Sequence, residues 1–354
     1  MKSNSSDNIK SLKKASVRGA FLIMGAQLLT ISLHLVMLPF LARLLTPVDF
    51  GLVGMTAAIT GIAILFADAG MSTSIVQSKT VNLQQISNLF WLSVLIGVVL
   101  VFSLISVSGL LSDFYSEPRV KVIVIVASFG FFFHSILIHP LAILQREFMF
   151  KHIAVVNIIH ALSNALITIT LASLTNSYLS LVIGPLVAVV IKTLICFYFA
   201  GWLPSFPKSK SGTRPFISFG LNLTGFNFLN YFSRNADNVL IGYQLGAMQL
   251  GFYTRAYDLM LLPIRQINGP ITTIALPLLS RLQDNKHEYV SVYSAILRLV
   301  CLLTTAIGAL LFTLGNEVIA LALGAGWESV GSVIEILALN SVVQPLSGTV
   351  GILL

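Results

Sequence analysis

The stretch Leu89–Leu111, LFWLSVLIGVVLVFSLISVSGLL, contains no charged residue. A helix rises about 1.5 Å per residue, so a run of roughly 20 residues crosses the ~30 Å hydrocarbon core of a bilayer. Apolar runs of the same kind recur on both sides of it, at 20–41, 50–68, 122–142, 153–174, 178–200, 216–241, 249–278, 296–315 and 332–354. Together they predict ten spans. None of these runs alternates apolar with polar residues as a barrel strand does, and lipid leaves every backbone N–H and C=O to be paired within its own segment, so the spans are helices. The expected fold is all-α, a polytopic membrane protein of about ten transmembrane helices. Composition agrees: 56% of the chain is hydrophobic and 10% charged, where a soluble domain carries about 25% charged residues.

The 354-residue chain has a net charge of +8, and the positions of its basic residues argue against nucleic acid as a partner. With the N-terminus in the cytoplasm, Lys2, Lys10, Lys13, Lys14, Arg18, Lys79, Arg146, Lys151, Lys208, Lys210, Arg214, Arg281, Lys286 and Arg298 fall in cytoplasmic segments. Only Arg43, Arg119 and Lys121 fall on the opposite side. An excess of 14 to 3 over short loops is the positive-inside asymmetry, which fixes both orientation and the parity of the helix count. Attraction to anionic headgroups is a secondary effect of the same charges. Residues 1–19 are polar and basic, but the run that follows is long and lacks a small-residue cleavage site, so the first span is expected to be retained. Cys196 and Cys301 each lie inside an apolar run and behave as small hydrophobes. No disulfide framework, metal site or cofactor is indicated.

Laid on itself with an offset of 200, the chain shows a faint repeat: Gly25, Leu29, Leu45 and Gly51 meet Gly225, Leu229, Leu245 and Gly251. Six spans precede the second copy, so both copies enter the membrane in the same direction, as in parallel-repeat transporters. The expected organisation is a cytoplasmic segment at 1–19, a first lobe of six spans at 20–200, a basic, Pro- and Ser-containing linker at 201–215 and a second lobe at 216–354. That second lobe has four of its six helices, and Leu354 stands inside an apolar run, so the chain is expected to be a shortened form of a longer protein.

Ionisable groups inside a spanning helix cost about 2.5–3.5 kcal/mol each at mid-bilayer and read as functional by default. In the seventh span Asn227, Asn230, Arg234 and Asp237 fall at helical spacing. In the eighth, Arg255, Asp258 and Arg265 share one face. Arg234 with Asp237, and Arg255 with Asp258, read either as i,i+3 ion pairs holding helices together or as part of a hydrated cavity. Arg265 has no partner at that spacing, which favours the cavity. A surplus of guanidinium suits an anionic substrate, because it stays charged and binds phosphate oxygens through paired donors.

Under the repeat, Gln27, Thr30 and His34 fall on Asn227, Asn230 and Arg234, so both lobes are expected to turn a polar stripe inward. Lys192, in the sixth span, is a further substrate-binding candidate or a snorkelling side chain. Asp68 is a candidate gate or ion ligand, with a helix-end carboxylate facing water as the alternative. His134, His139 and His160 are expected to make hydrogen bonds between helices. Glu335 lies in the last span without an evident partner.

At Leu41–Gly51, LARLLTPVDFG, and at Asn235–Arg281, NADNVLIGYQLGAMQLGFYTRAYDLMLLPIRQINGPITTIALPLLSR, the sequence resembles the polysaccharide exporters of the multidrug/oligosaccharidyl-lipid/polysaccharide (MOP) superfamily, Wzx-type and colanic-acid-exporter-like members most of all. LQREFMFK at Leu144–Lys151 is similar to a cytoplasmic loop of the same family. The resemblance implies two six-helix lobes around a cavity that alternately faces either side, as in MATE-like bundles. It also implies a non-enzyme of the bacterial inner membrane that moves an oligosaccharide on undecaprenyl diphosphate to the outer leaflet. The implied partners are that lipid-linked oligosaccharide, the bilayer, and the polysaccharide polymerase and chain-length machinery. Coupling to H⁺ or Na⁺ is left open. The rival readings are a drug/cation antiporter, which should carry an acidic cavity, and a membrane enzyme of polysaccharide assembly, which should carry a large extracytoplasmic loop.

Overall fold

A computed structural model describes the backbone of residues 3–78, 80–208, 212–281 and 285–340, and their side chains except those of 3–18, 20, 214, 219, 221–223, 226, 265–278, 280–281 and 286. Ten helices follow one another among the described residues: α1 Ser3–Leu44, α2 Pro47–Asp68, α3 Met71–Gln77, α4 Leu83–Phe114, α5 Pro118–Arg146, α6 Phe150–Thr175, α7 Ser180–Ala200, α8 Arg214–Arg281, α9 Lys286–Ala322 and α10 Glu328–Asn340. No strand occurs among them. Among the described residues, seven segments are long and apolar enough to cross a membrane, six of them reaching from Phe21 to Ala200 and the seventh being His287–Ala322. The expected all-α polytopic fold is what forms.

The expected seventh and eighth spans both lie in α8. Its 68 residues would run about 100 Å if straight, more than three hydrocarbon thicknesses. The helix is broken at Gly246, whose φ of 79° and ψ of −178° are non-helical and lie in a region of backbone space open essentially to glycine alone. The expected tenth span is helical from Glu328 to Asn340, and its remainder, 341–354, lies outside the described residues.

Local chemistry sets the other boundaries. Asn82 and Gln85 form a reciprocal capping box at the start of α4. Thr46 precedes Pro47 at the first turn of α2, and Asp49 accepts from both its N–H (2.8 Å) and its hydroxyl (2.7 Å). Glu117, ahead of Pro118, caps α5 and accepts from Arg119 Nε and Nη2 at 2.8 Å each. That bidentate pair holds the Glu117 carboxyl below its ordinary pKa.

The chain divides into two compact units. The first comprises residues 1–45 and 52–247; there α4 packs on α5, α5 on α7, α7 on α6 and α6 on α1. Its helix contacts bury hydroxyls such as Ser93, Ser128, Ser135, Thr168 and Thr193, while Phe21, Phe102, Leu110, Leu166 and Leu194 face outward. Small polar residues between helices and large apolar ones outside are the arrangement a lipid solvent selects. The second unit comprises 46–51 and 248–354, with α9 packed on α10. Residues 46–51, which include the first turn of α2, are thus grouped by their packing with the second unit.

Candidate functional site

In the second unit, the turn 46–51 lies directly on α8. Gly251 comes so close to Pro47 that a Cβ there would overlap the Pro47 carbonyl, and it would stand 3.2 Å from the Gly51 nitrogen. The repeat relates Gly51 to Gly251, and these two positions are in backbone proximity. One turn further along α8, the Arg255 guanidinium carbon lies 5.0 Å from the centre of the Phe50 ring, within cation–π range. Phe50 in turn meets Trp327 edge-on at 5.3 Å, and Phe252 meets the same indole at 6.3 Å.

Arg255 Nη2 also pairs with Asp258 Oδ2 at 2.9 Å. Its Nε is buried without a hydrogen bond. One of five guanidinium donors is therefore committed to the carboxylate, and the group keeps its charge. Of the two i,i+3 pairs read from the sequence, this one is formed. Arg234 is exposed, and Asp237 Oδ1 accepts the Asn238 N–H at 2.9 Å. The Arg265 side chain lies outside the described ones.

The first run of α8 belongs to the first unit. Tyr231 donates its hydroxyl to the Ala57 carbonyl of α2 at 2.7 Å, and Phe228 lies 6.1 Å from Phe66. Beside these contacts the polar stripe is split. Asn230 and Arg234 are exposed and Asn227 is half-buried, whereas Asn235 donates to the Tyr231 carbonyl at 2.9 Å. Gln27 and His34 on α1 are likewise exposed, His34 Nδ1 lying 3.0 Å from the Thr30 carbonyl.

A further group of ionisable side chains lies in the first unit. Lys192 on α7 is half-buried and within electrostatic reach of His134 on α5 and His160 on α6, and His134 is within reach of Asp68. Thr193 Oγ1 donates to the Phe133 carbonyl at 3.4 Å, which holds α7 to α5 at this level. Asp68 accepts from the Ser72 N–H at 3.1 Å and hydroxyl at 2.9 Å, so it caps the start of α3.

His160 on α6 hydrogen-bonds the Ala188 backbone on α7, the bond between helices expected of it, whereas His139 departs from expectation. The Nδ1 atoms of His134 and His160, and both ring nitrogens of His139, are buried without hydrogen bonds. His139 packs edge-on to Phe90 at 5.7 Å in an apolar cluster instead of bridging helices. Glu335 does have a partner, accepting from Asn316 Nδ2 at 2.7 Å.

Sequence reasoning missed Phe50, against whose ring Arg255 lies, and Trp327, which meets Phe50, and it did not place His160 in the α6 stripe with Asn157, Asn164 and Thr168. That stripe has the three- and four-residue spacing of one helix face and was visible in principle.

These features define a helical membrane protein of several spans. An inward-facing multidrug resistance MATE family transporter of the MOP superfamily shares the fold, with a TM-score of 0.72 at 15% identity over 90% of this chain and 78% of the other. A MOP superfamily transporter from Pyrococcus furiosus aligns at a TM-score of 0.61 and 16% identity, covering 94% and 80%. Residues 40–332 match the family described as polysaccharide biosynthesis protein, and the chain belongs to that family.

Among its relatives, the lipopolysaccharide biosynthesis protein WzxC of Escherichia coli K12 is 25% identical over 97% of this chain and 70% of its own length. The teichuronic acid biosynthesis protein TuaB of Bacillus subtilis is 25% identical over 81% and 60%. The succinoglycan biosynthesis transport protein ExoT of Rhizobium meliloti is 20% identical over 88% and 63%.

Proposed function

We propose that this chain is a flippase that carries an oligosaccharide linked to undecaprenyl diphosphate from the cytoplasmic to the outer leaflet of a bacterial inner membrane. The observation that carries this reading is Arg255, a charged guanidinium in the interior of α8 with only one donor spent on Asp258. In a polysaccharide biosynthesis family with a transporter fold, such a group matches the diphosphate. Arg234 and Arg265 add charge of the same sign, and Asn227, Asn230, Gln27 and His34 offer hydrogen bonds to sugar hydroxyls. Lys192 is a cation within a span of the first lobe, Asp258 sets the position of Arg255, and Asp237 is a further polar group of the seventh span.

The N-terminus is cytoplasmic on this reading, and the lobes at 20–200 and 216–354 rock about the linker 201–215. The arginines must hold the diphosphate unequally in the two states, because a ligand shifts an equilibrium only through differential affinity. Coupling to H⁺ or Na⁺ supplies the direction, with Asp68 as a candidate gate, and polymerase and chain-length proteins receive the product. An antiporter of organic cations would need acidic groups where this chain places arginines. Deleting the gene tests the proposal: lipid-linked repeat units accumulate on the cytoplasmic leaflet. Normal delivery to the outer leaflet in the deletion strain overturns it.

A further inference from the structure

The segment that leaves α7, Gly201–Lys208, is held in place more firmly than a connecting loop requires. Trp202 is buried, stacked on Phe197 at 6.2 Å and edge-on to Phe90 at 5.9 Å. Beyond it the backbone lies along the first turns of α4. Ser205 N–H donates to Ser87 Oγ (3.1 Å) and the Ser205 carbonyl accepts from Trp91 Nε1 (2.9 Å). The Phe206 carbonyl accepts from Gln84 Nε2 (3.0 Å), and Asn88 pairs with both the N–H (3.0 Å) and the carbonyl (2.6 Å) of Lys208. Residues 84, 87, 88 and 91 form one face of a helix, and that face pairs the segment's backbone as a neighbouring strand would.

What the segment turns outward is apolar. Leu203 is 80% exposed and Phe206 84%, next to Tyr198 on the last turn of α7 at 80% and Leu83 at the start of α4 at 63%. α4 and α7 are both apolar enough to span a membrane, so the patch continues their outer surfaces at the point where those helices end. Lys208 is exposed at the far end of the segment, with Lys210 and Arg214 following in the sequence.

A loop in water needs no side chains to pair its backbone. One lying in the lipid interface does, because unpaired N–H and C=O groups are costly there. We infer that Gly201–Lys208 is an interfacial anchor, which buries Leu203 and Phe206 at the boundary of the acyl chains and sets Lys208 among the phosphate headgroups. The partner is the bilayer. Aromatic and aliphatic side chains with flanking lysines are suited to that layer. The segment then moves as a fixed part of the first unit.

The test places a nitroxide at Leu203→Cys, Phe206→Cys or Lys208→Cys in the whole chain, with Cys196 and Cys301 replaced by Ala, reconstituted in nanodiscs of phosphatidylcholine and phosphatidylglycerol. Oxygen partitions into lipid and a nickel chelate stays in water. Labels at 203 and 206 are expected to relax with oxygen and be shielded from nickel, with the reverse at 208. Labels at 203 and 206 open to nickel overturn the anchor, and so do labels shielded from both reagents, since protein then covers the patch. The three positions are exposed, so the labels do not disturb packing. The outcome is independent of whether the chain transports anything.

Discussion

The Arg255 guanidinium carbon lies 5.0 Å from the centre of the Phe50 ring, and the two residues come from the eighth and second predicted spans, with five others between them. Phe50 sits in the first turn of α2, within the segment 46–51 that packs with 248–354. The charge proposed to meet the substrate is thus also a charge that holds this turn, and phosphate and ring compete for one guanidinium.

Arg255→Ala is expected to lower export about tenfold to a hundredfold, from the loss of one charge-assisted hydrogen bond of about 1.5–3 kcal/mol at 1.4 kcal/mol per tenfold. Arg255→Lys keeps the charge but loses the paired donors and falls between. Lys192→Ala is expected to have the mildest effect. Export per unit of membrane-inserted protein is the readout.

Gly251→Ala is expected to destabilise the second unit by about 1–3 kcal/mol through overpacking, because the new methyl overlaps the Pro47 carbonyl. Gly246→Ala meets no neighbour within 4 Å, so any loss there comes from its positive φ alone, also about 1–3 kcal/mol. Thermal unfolding in detergent measures both. Loosening the turn by Phe50→Leu is expected to relieve the first variant and leave the second unchanged.

Tyr231→Phe removes the hydroxyl that reaches the Ala57 carbonyl at 2.7 Å, with an expected cost of about 0.5–1.5 kcal/mol. Hydrogen exchange in the first run of α8 and in α2 should rise together, since the bond joins them.

Glu117 supplies a pH dependence. Arg119 depresses its folded pKa, so the stabilisation is fully present above the unfolded carboxylate value of about 4.3 and is lost as pH falls through the lower folded value. Melting between pH 7 and pH 3 should show this loss in the wild type, and Arg119→Ala should remove that part of the slope.

The spans could be read from the sequence because lipid imposes one demand on every segment, and the run at Leu89–Leu111 meets it with no tertiary help. The seventh and eighth were harder to recognise as one broken helix: the break depends on the backbone of Gly246, and a glycine in LIGYQLGAMQLG looks the same whether helical or not. The Arg255–Asp258 pair followed from i,i+3 spacing, whereas Phe50 is brought to Arg255, and Trp327 to Phe50, by tertiary packing that no periodicity reports. His139 was misjudged for a related reason. A residue able to bridge helices was expected to do so, but His139 is enclosed by apolar neighbours.

The central claim is that the chain moves lipid-linked oligosaccharide between leaflets. The most direct measurement reconstitutes it in vesicles loaded with an undecaprenyl-diphosphate-linked oligosaccharide and oxidises the sugars from outside with periodate, which does not cross the bilayer. With the chain present, oxidation is expected to pass beyond the outer leaflet's share and approach the whole pool, and with Arg255→Ala to do so far more slowly. Oxidation that stops at the outer leaflet's share, with folded protein in the membrane, would contradict the account.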